Sequence, residues 1–286
     1  MPKASYHLTH PENRTTSVIF ASPHSSRDYP WSFLRNTVLD AKTIRSSEDA
    51  FVDRLYDSAP QHGAVFLKAG APRAFVDLNR APDELDPALI EGVVQRKNNP
   101  RVATGLGVIP RVVANGRSIY HGKLSLREAQ YRIDTYWQPY HNTLQRLMTE
   151  NVDRFGQAVL IDCHSMPREA VSQLSRTVAG RPDIVIGDRF GASASAGIVD
   201  QIEAIFASYG FNVARNSPFA GAYMVQHYGR PAKGRHAVQV EIDRSIYMDE
   251  ANIEPSKDFA TIRVVLRRII KEVADIGRSQ AALAAE

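Results

Sequence analysis

The sequence predicts an α/β domain. Short apolar runs alternate along the chain with longer amphipathic stretches, and no repeat or low-complexity tract interrupts the pattern. The 286 residues are 43% hydrophobic and 23% charged, enough to bury one large core, so the whole of 1–286 reads as one domain. In order, Ser17 to Ser22 (SVIFAS) reads as a buried strand stopped by Pro23. The spacing of Phe51, Leu55 and Ala59 predicts a helix over 50–62, ended by Gly63. Residues 64–68 and 74–78 read as short strands. Ser125 and Glu128 form a capping box that opens a long helical stretch toward Phe155, which Pro139 kinks or divides. Apolar runs predict strands at 157–163 and 184–187. A helix over 194–209 closed by Gly210, extended chain over 211–215, a strand over 236–243 and a last helix over 256–276 complete the series. Residues 81–124, rich in Pro, Gly and Asn, read as an irregular excursion of the kind that forms a substrate loop or lid.

Composition removes several classes of function. No run of about eighteen apolar residues exists to span a bilayer. The first fourteen residues lack the apolar core and small-residue cleavage site of a secretory leader. One cysteine, Cys163, excludes an internal disulfide framework and fits a reducing cytoplasm. The net charge is +4, but basic residues are scattered among acidic ones, with no basic run or stripe to suit nucleic acid. No pattern in the chain specifies an oligomeric state.

Two histidines stand where ligands bind in open α/β sheets, just past the carboxyl ends of predicted strands. His24 follows SVIFASP and His164 follows VLIDC. Either alone reads as a hydrogen-bonded structural residue; together they suit a metal such as zinc, which takes imidazole readily and keeps one position open for water. A third ligand is sought among Glu48 and Asp49, although acids at a helix start also serve as caps. The strand HAVQVEID alternates with period two, placing Gln239, Glu241 and Asp243 on one face. A mid-strand acid needs water or a partner, so Glu241 reads either as a general base beside a metal or as the solvated face of an edge strand. Asp162 shares a side with His164 and reads as a carboxylate orienting that imidazole, or as a structural residue. Arg73, Asn79 and Arg80 surround one short segment, and Tyr228 and Arg230 lie in HYGRP. Guanidinium forks grip carboxylates, so these residues suit a small anionic substrate.

The chain resembles the N-formylglutamate amidohydrolases (deformylases) over nearly its whole length. The resemblance rests on SPHSS, EDAFVDRLY, RAFVDLNRAPDELD, GLGVIPR, WQPYH, LIDCHSMP, AGAYMVQHYGRP and VQVEIDRSIYMDE, in that order. More distantly it is similar to aspartoacylases and zinc carboxypeptidases, which implies a three-layer αβα domain with a mixed central sheet. The resemblance implies one zinc ion on His24, His164 and an acid, with Glu241 as general base. It also implies that Arg73, Asn79 and Arg80 hold the substrate carboxylate, helped by Arg230 and Tyr228. The implied activity is hydrolysis of N-formyl-L-glutamate to formate and L-glutamate at the end of a histidine-degradation route, or hydrolysis of another acyl-amino acid. Two departures stand out. Carboxypeptidase-like chains take their acid from H-x-x-E, whereas Arg occupies position 27; matching to a D-x-x-x-D-x-L element points to Asp49 instead. Ala222 and Gln226 occupy positions where deformylases more often have glycine and a basic residue.

Three rival readings follow: a zinc amidohydrolase or carboxypeptidase for a different acyl-amino acid or peptide, a cysteine hydrolase built on Cys163, and a non-catalytic binding protein for acidic metabolites. On an extended chain Cys163 and His164 point to opposite sides, which disfavours the second.

Overall fold

A seven-stranded mixed sheet organises the chain, which the computed structural model describes over residues 2–94, 99–172 and 180–278. Its strands are β1 (Tyr6–Thr9), β2 (Val18–Ser22), β3 (Val65–Ala69), β4 (Ala158–Met166), β5 (Ile184–Gly187), β6 (Val213–Arg215) and β7 (Arg235–Asp243). Their spatial order is β1-β3-β2-β4-β7-β5-β6. β2, β4 and β7 run parallel, β5 is antiparallel to β7, and β6 is parallel to β5. A separate ribbon pairs β8 (Met248–Asp249) with β9 (Glu254–Pro255). The helices are α1 (Trp31–Asn36), α2 (Val52–Leu55), α3 (Pro100–Ala103), α4 (Leu126–Arg132), α5 (Gln138–Phe155), α6 (Arg168–Ser172), α7 (Ala196–Ser208), α8 (Tyr223–Tyr228) and α9 (Phe259–Ile276). Among the described residues no helix is long and apolar enough to cross a membrane. The α/β reading therefore stands, with a mixed central sheet.

The chain groups into two compact units. One comprises Met1–His7, Pro23–Ala50 and Lys68–Thr143; the other comprises Leu8–Ser22, Phe51–Leu67 and Leu144–Glu286. In the second unit the two faces of the sheet differ in chemistry. Phe20, Ile161 and Val240 pack with Ile202 and Phe206 of α7 and Ile269, Ile270 and Val273 of α9. Each such side chain, fully buried, contributes about 1.5–3 kcal/mol, so this apolar face anchors the strands. The opposite face carries Asp162, His164, Gln239 and Glu241 in a block, because Asp162 pairs with Gln239 and His164 with Glu241 in parallel register. β7 lies between β4 and β5, so the edge-strand alternative for its polar face does not apply.

In the first unit the core is aromatic. Phe33, Phe75 and Tyr136 are buried, and the Arg132 guanidinium lies 4.1 Å from the Phe75 ring centre. Arg132 also donates to the Phe75 carbonyl and the Tyr120 hydroxyl, so its burial leaves the charge well solvated by protein.

Several expected elements take a different form. The helix expected over 50–62 is split into α2 and a 3-10 turn, Ala59–His62, although Phe51, Leu55 and Ala59 are all buried as their spacing implies. The break falls between Leu55 and Ala59, ahead of Pro60, which has no N–H for the Tyr56 carbonyl; the start of α2 is set by Phe51, which adopts left-handed φ 67°, a conformation that costs a side-chain-bearing residue about 1–2 kcal/mol. Its ring stacks edge-on against Phe259 at 6.0 Å, which offsets that cost. Residues 74–78 are not a strand: the Phe75 and Val76 amides turn back onto the Pro72 carbonyl. β4 runs three residues past the expected 163, so His164 lies within the strand and not beyond it. Ser125 does accept the Glu128 amide, and the helix it opens continues through a π-helical turn, Ile133–Trp137, into α5. Pro139 has no N–H for the Thr135 carbonyl; the Ser5 hydroxyl donates to it instead, at 2.6 Å. Within 81–124 the described residues are largely irregular, broken by α3 and a 3-10 turn, and 95–98 lie outside the described residues. Neither β1 nor α8 has a counterpart among the elements the sequence suggests.

Candidate metal centre

His24 is placed by loop hydrogen bonds two residues beyond β2. Its carbonyl accepts the Asp49 amide at 3.0 Å, which ties the segment after β2 to the segment before α2. Both residues are buried, with the His24 Nδ1 3.5 Å from Asp49 Oδ2. The other ring nitrogen, Nε2, lies 2.7 Å from Asp77 Oδ1. Asp77 is itself held by the Arg73 Nε, 3.1 Å from its second oxygen, and by the Asn79 amide at 2.8 Å. Burial alone would raise the Asp77 carboxyl, but His24 and Arg73 outweigh it and hold the group well below the usual carboxylate range. It is thus an ionised partner that fixes the tautomer and aim of His24.

Glu48 has other work. Arg45 donates to both its oxygens, at 3.0 and 3.2 Å. Burial raises its carboxyl, and Arg45 draws it only part of the way back. Of the two acids considered at the third position, Asp49 is therefore the one facing His24.

His164 is placed differently, by the sheet. It lies in β4 with hydrogen-bonded strands on both sides, and its Nε2 is 2.9 Å from Asp162 Oδ1, two residues back on the same face. Both side chains are at most 4% exposed. The next strand brings Glu241 alongside His164 in register, and Glu241 Oε1 accepts from Gln239 Nε2 at 2.8 Å. One ligand atom from each of His24, Asp49 and His164 lies within 4.8 Å of the others, and all three residues are buried. Two imidazoles and a carboxylate are a fitting donor set for zinc, and each imidazole has a buried carboxylate behind it.

Asn79 and Arg80 are positioned by segments whose purpose was opaque in the sequence. Asp77 donates its amide to the Val108 carbonyl, Trp137 donates to the Arg80 carbonyl at 2.9 Å, and His141 Nε2 meets the Leu78 carbonyl at 2.8 Å. GLGVIPR and WQPYH thus clamp the DLNR turn from two sides. Arg80 is 6% exposed, bonded through Nε to the Leu106 carbonyl and through a terminal nitrogen to the Asn79 carbonyl. Burial lowers its pKa.

Tyr228 and Arg230 do not join this group. Arg230 bridges Arg235 at the start of β7, six residues before Glu241, or roughly 20 Å at the rise of a strand. Its guanidinium donates to the Gln226 and Gly229 carbonyls and caps α8. Tyr228 is buried at the same end, against the ring of His227, and burial raises its hydroxyl pKa strongly. Cys163 faces the opposite side of β4 from His164 and is fully buried; burial pushes its thiol pKa well up, which removes it as a nucleophile.

The missed member of the site is Asp77. Its signal lay in the spacing of Arg73 and Asp77, which the expectation of a strand over 74–78 obscured.

The N-formylglutamate amidohydrolase family model matches residues 16–248. A crystal structure of an N-formylglutamate amidohydrolase from Ralstonia eutropha JMP134 superposes with a TM-score of 0.88 and 34% identity, covering 95% of this chain and 98% of that one. The N-formylglutamate deformylase of Pseudomonas aeruginosa is 29% identical over 270 residues, 92% of this chain and 94% of its own length. That of Pseudomonas putida is 29% identical over 262 residues, 89% and 91% respectively.

Proposed function

The chain belongs to the N-formylglutamate amidohydrolase family, and from that membership we propose that it hydrolyses N-formyl-L-glutamate with one zinc ion held by His24, Asp49 and His164. The observation that carries the proposal is the buried convergence of those three ligand atoms within 4.8 Å. When bound there, zinc supplies Lewis acidity, polarising an amide carbonyl and easing deprotonation of water.

The protein residues do the rest. Asp77 holds the His24 imidazole in one tautomer through Nε2, and Asp162 Oδ1, 2.9 Å from the His164 Nε2, is the electrostatic partner of the second imidazole. Glu241, beside His164 in register, takes a proton from the water that attacks the formyl carbon. It then delivers that proton to the departing nitrogen as the C–N bond breaks, giving formate and the free amine of glutamate. Arg73, Asn79 and Arg80 hold substrate carboxylate, so that binding energy remote from the reacting carbon orients it. The same proposal places the enzyme in the cytoplasm, at the last step of a histidine-degradation route.

Glu241→Ala is expected to abolish formate release while the purified variant keeps its zinc by elemental analysis; full activity in that variant would remove Glu241 from its role. Assay of N-formylglutamate against N-acetylglutamate and short peptides tests the substrate. A preference for acetylated substrates or peptides points to a different amidohydrolase or a carboxypeptidase, and binding without turnover points to a metabolite-binding protein.

A further inference from the structure

Glu241 does not stand alone on its strand. Two residues back on the same face, Gln239 donates from Nε2 to Glu241 Oε1 at 2.8 Å, and its own Oε1 accepts the Ala222 amide at 3.2 Å. Both side chains are buried, at 4% and 7% exposure. The amide therefore has its orientation set from behind: the backbone N–H of Ala222 takes the oxygen and leaves the NH₂ turned to the carboxylate. The segment that supplies this N–H is pressed onto the sheet. A Cβ at Gly187, the β5 partner of Gln239, would lie 2.8 Å from the Ala220 carbonyl carbon and from the Gly221 nitrogen. Only glycine lets the 220–222 backbone approach this closely.

We infer that Gln239 is a positioning residue for hydrolysis: it locks the carboxylate of Glu241 in one rotamer, using the Ala222 amide as its fixed point. The inference rests on Glu241 being the general base. Chemistry favours a neutral amide here. A lysine or arginine would fix the carboxylate as well, but its charge would stabilise the ionised form and weaken Glu241 as a proton acceptor. The strand repeat places residue 239 on the same face as 241, and β4 and β5 prevent β7 from shifting. Ala222 enters this arrangement through its backbone N–H, at 3.2 Å from the Gln239 Oε1.

The test is Gln239→Met, which keeps the length of the side chain and removes both hydrogen bonds. The expected result is a fall in kcat of roughly tenfold or more with KM changed less than about twofold. An unchanged kcat or a loss lying wholly in KM overturns the inference. If Gln239→Met does not fold, Gln239→Asn gives the same reading, since its shorter side chain cannot span both partners. A crystal structure of either variant supplies a readout independent of substrate: the Glu241 carboxylate is expected to be displaced or split between rotamers, and an unmoved carboxylate refutes the role. Wild-type kcat in Glu241→Ala, by contrast, would overturn the assignment of the base itself.

Discussion

His24 and His164 are both buried imidazoles with Nε2 against a carboxylate, yet the chain builds them in opposite ways. His164, Asp162, Gln239 and Glu241 are set by strand register, so neighbours on one face are fixed by the pleat itself. His24, Asp49, Asp77 and Arg80 sit on irregular chain, each held by specific hydrogen bonds to the backbone of another segment. The strand-built set inherits the rigidity of a central sheet. The loop-built set depends on many separate contacts, and each of those can be removed alone.

This contrast gives its largest predicted effect at the ligands. His24→Ala and His164→Ala should both lose the metal on purification, with kcat/KM down by more than the roughly 100-fold that supporting carboxylates account for. Elemental analysis with the formate assay checks both, and retention of stoichiometric metal by either variant would remove it from the ligand set. Next come the carboxylates behind them. Asp77→Asn and Asp162→Asn should each weaken metal affinity about 10–100-fold, with Asp77 the costlier because it also holds Arg73 and the Asn79 amide. Competition with a chromogenic chelator measures this, and equal losses would mean that the difference in construction has no energetic weight. Chelation of the wild-type protein sharpens the point further. Amides in 23–50 are expected to exchange faster while those of 158–166 stay protected; uniform acceleration would break the comparison.

Smaller effects are expected away from the site. Arg230→Ala removes a cap from α8 and should cost about 1 kcal/mol in stability by denaturant titration, with KM within about twofold. A tenfold rise in KM would restore Arg230 to the substrate site. Cys163→Ala should leave turnover within about twofold, at a stability cost of about 1 kcal/mol for its small cavity.

The same division explains what could be read from the amino-acid order. Strand periodicity alone put Glu241 and Gln239 on one face and Asp162 with His164, and the sheet carries all four that way. Burial on both sides of β7 could not be read, because alternation looks alike in an edge strand and in a central strand with a polar site. Loop geometry was harder still. The side chains of Trp137, His141 and Arg80 bond the backbone carbonyls of Arg80, Leu78 and Leu106, and a carbonyl acceptor leaves no trace in side-chain pattern. The helix expected over 50–62 has the right buried residues and a different backbone: Pro60 marks its break, whereas nothing in its composition announces the left-handed phenylalanine that sets its start.

The register that joins β4 to β7 also limits how such a chain can diversify. Adding or deleting one residue just after Val159 would turn the imidazole and Asp162 into the apolar layer and bring Ile161 and Cys163 onto the polar face. No side-chain substitution could compensate for that exchange. Length changes are therefore confined to irregular stretches such as 81–94 and 99–124, where a new contact can be lost or gained without inverting the rest. Relatives with altered substrate preference should differ there in length, and be invariant in residue count across these two strands.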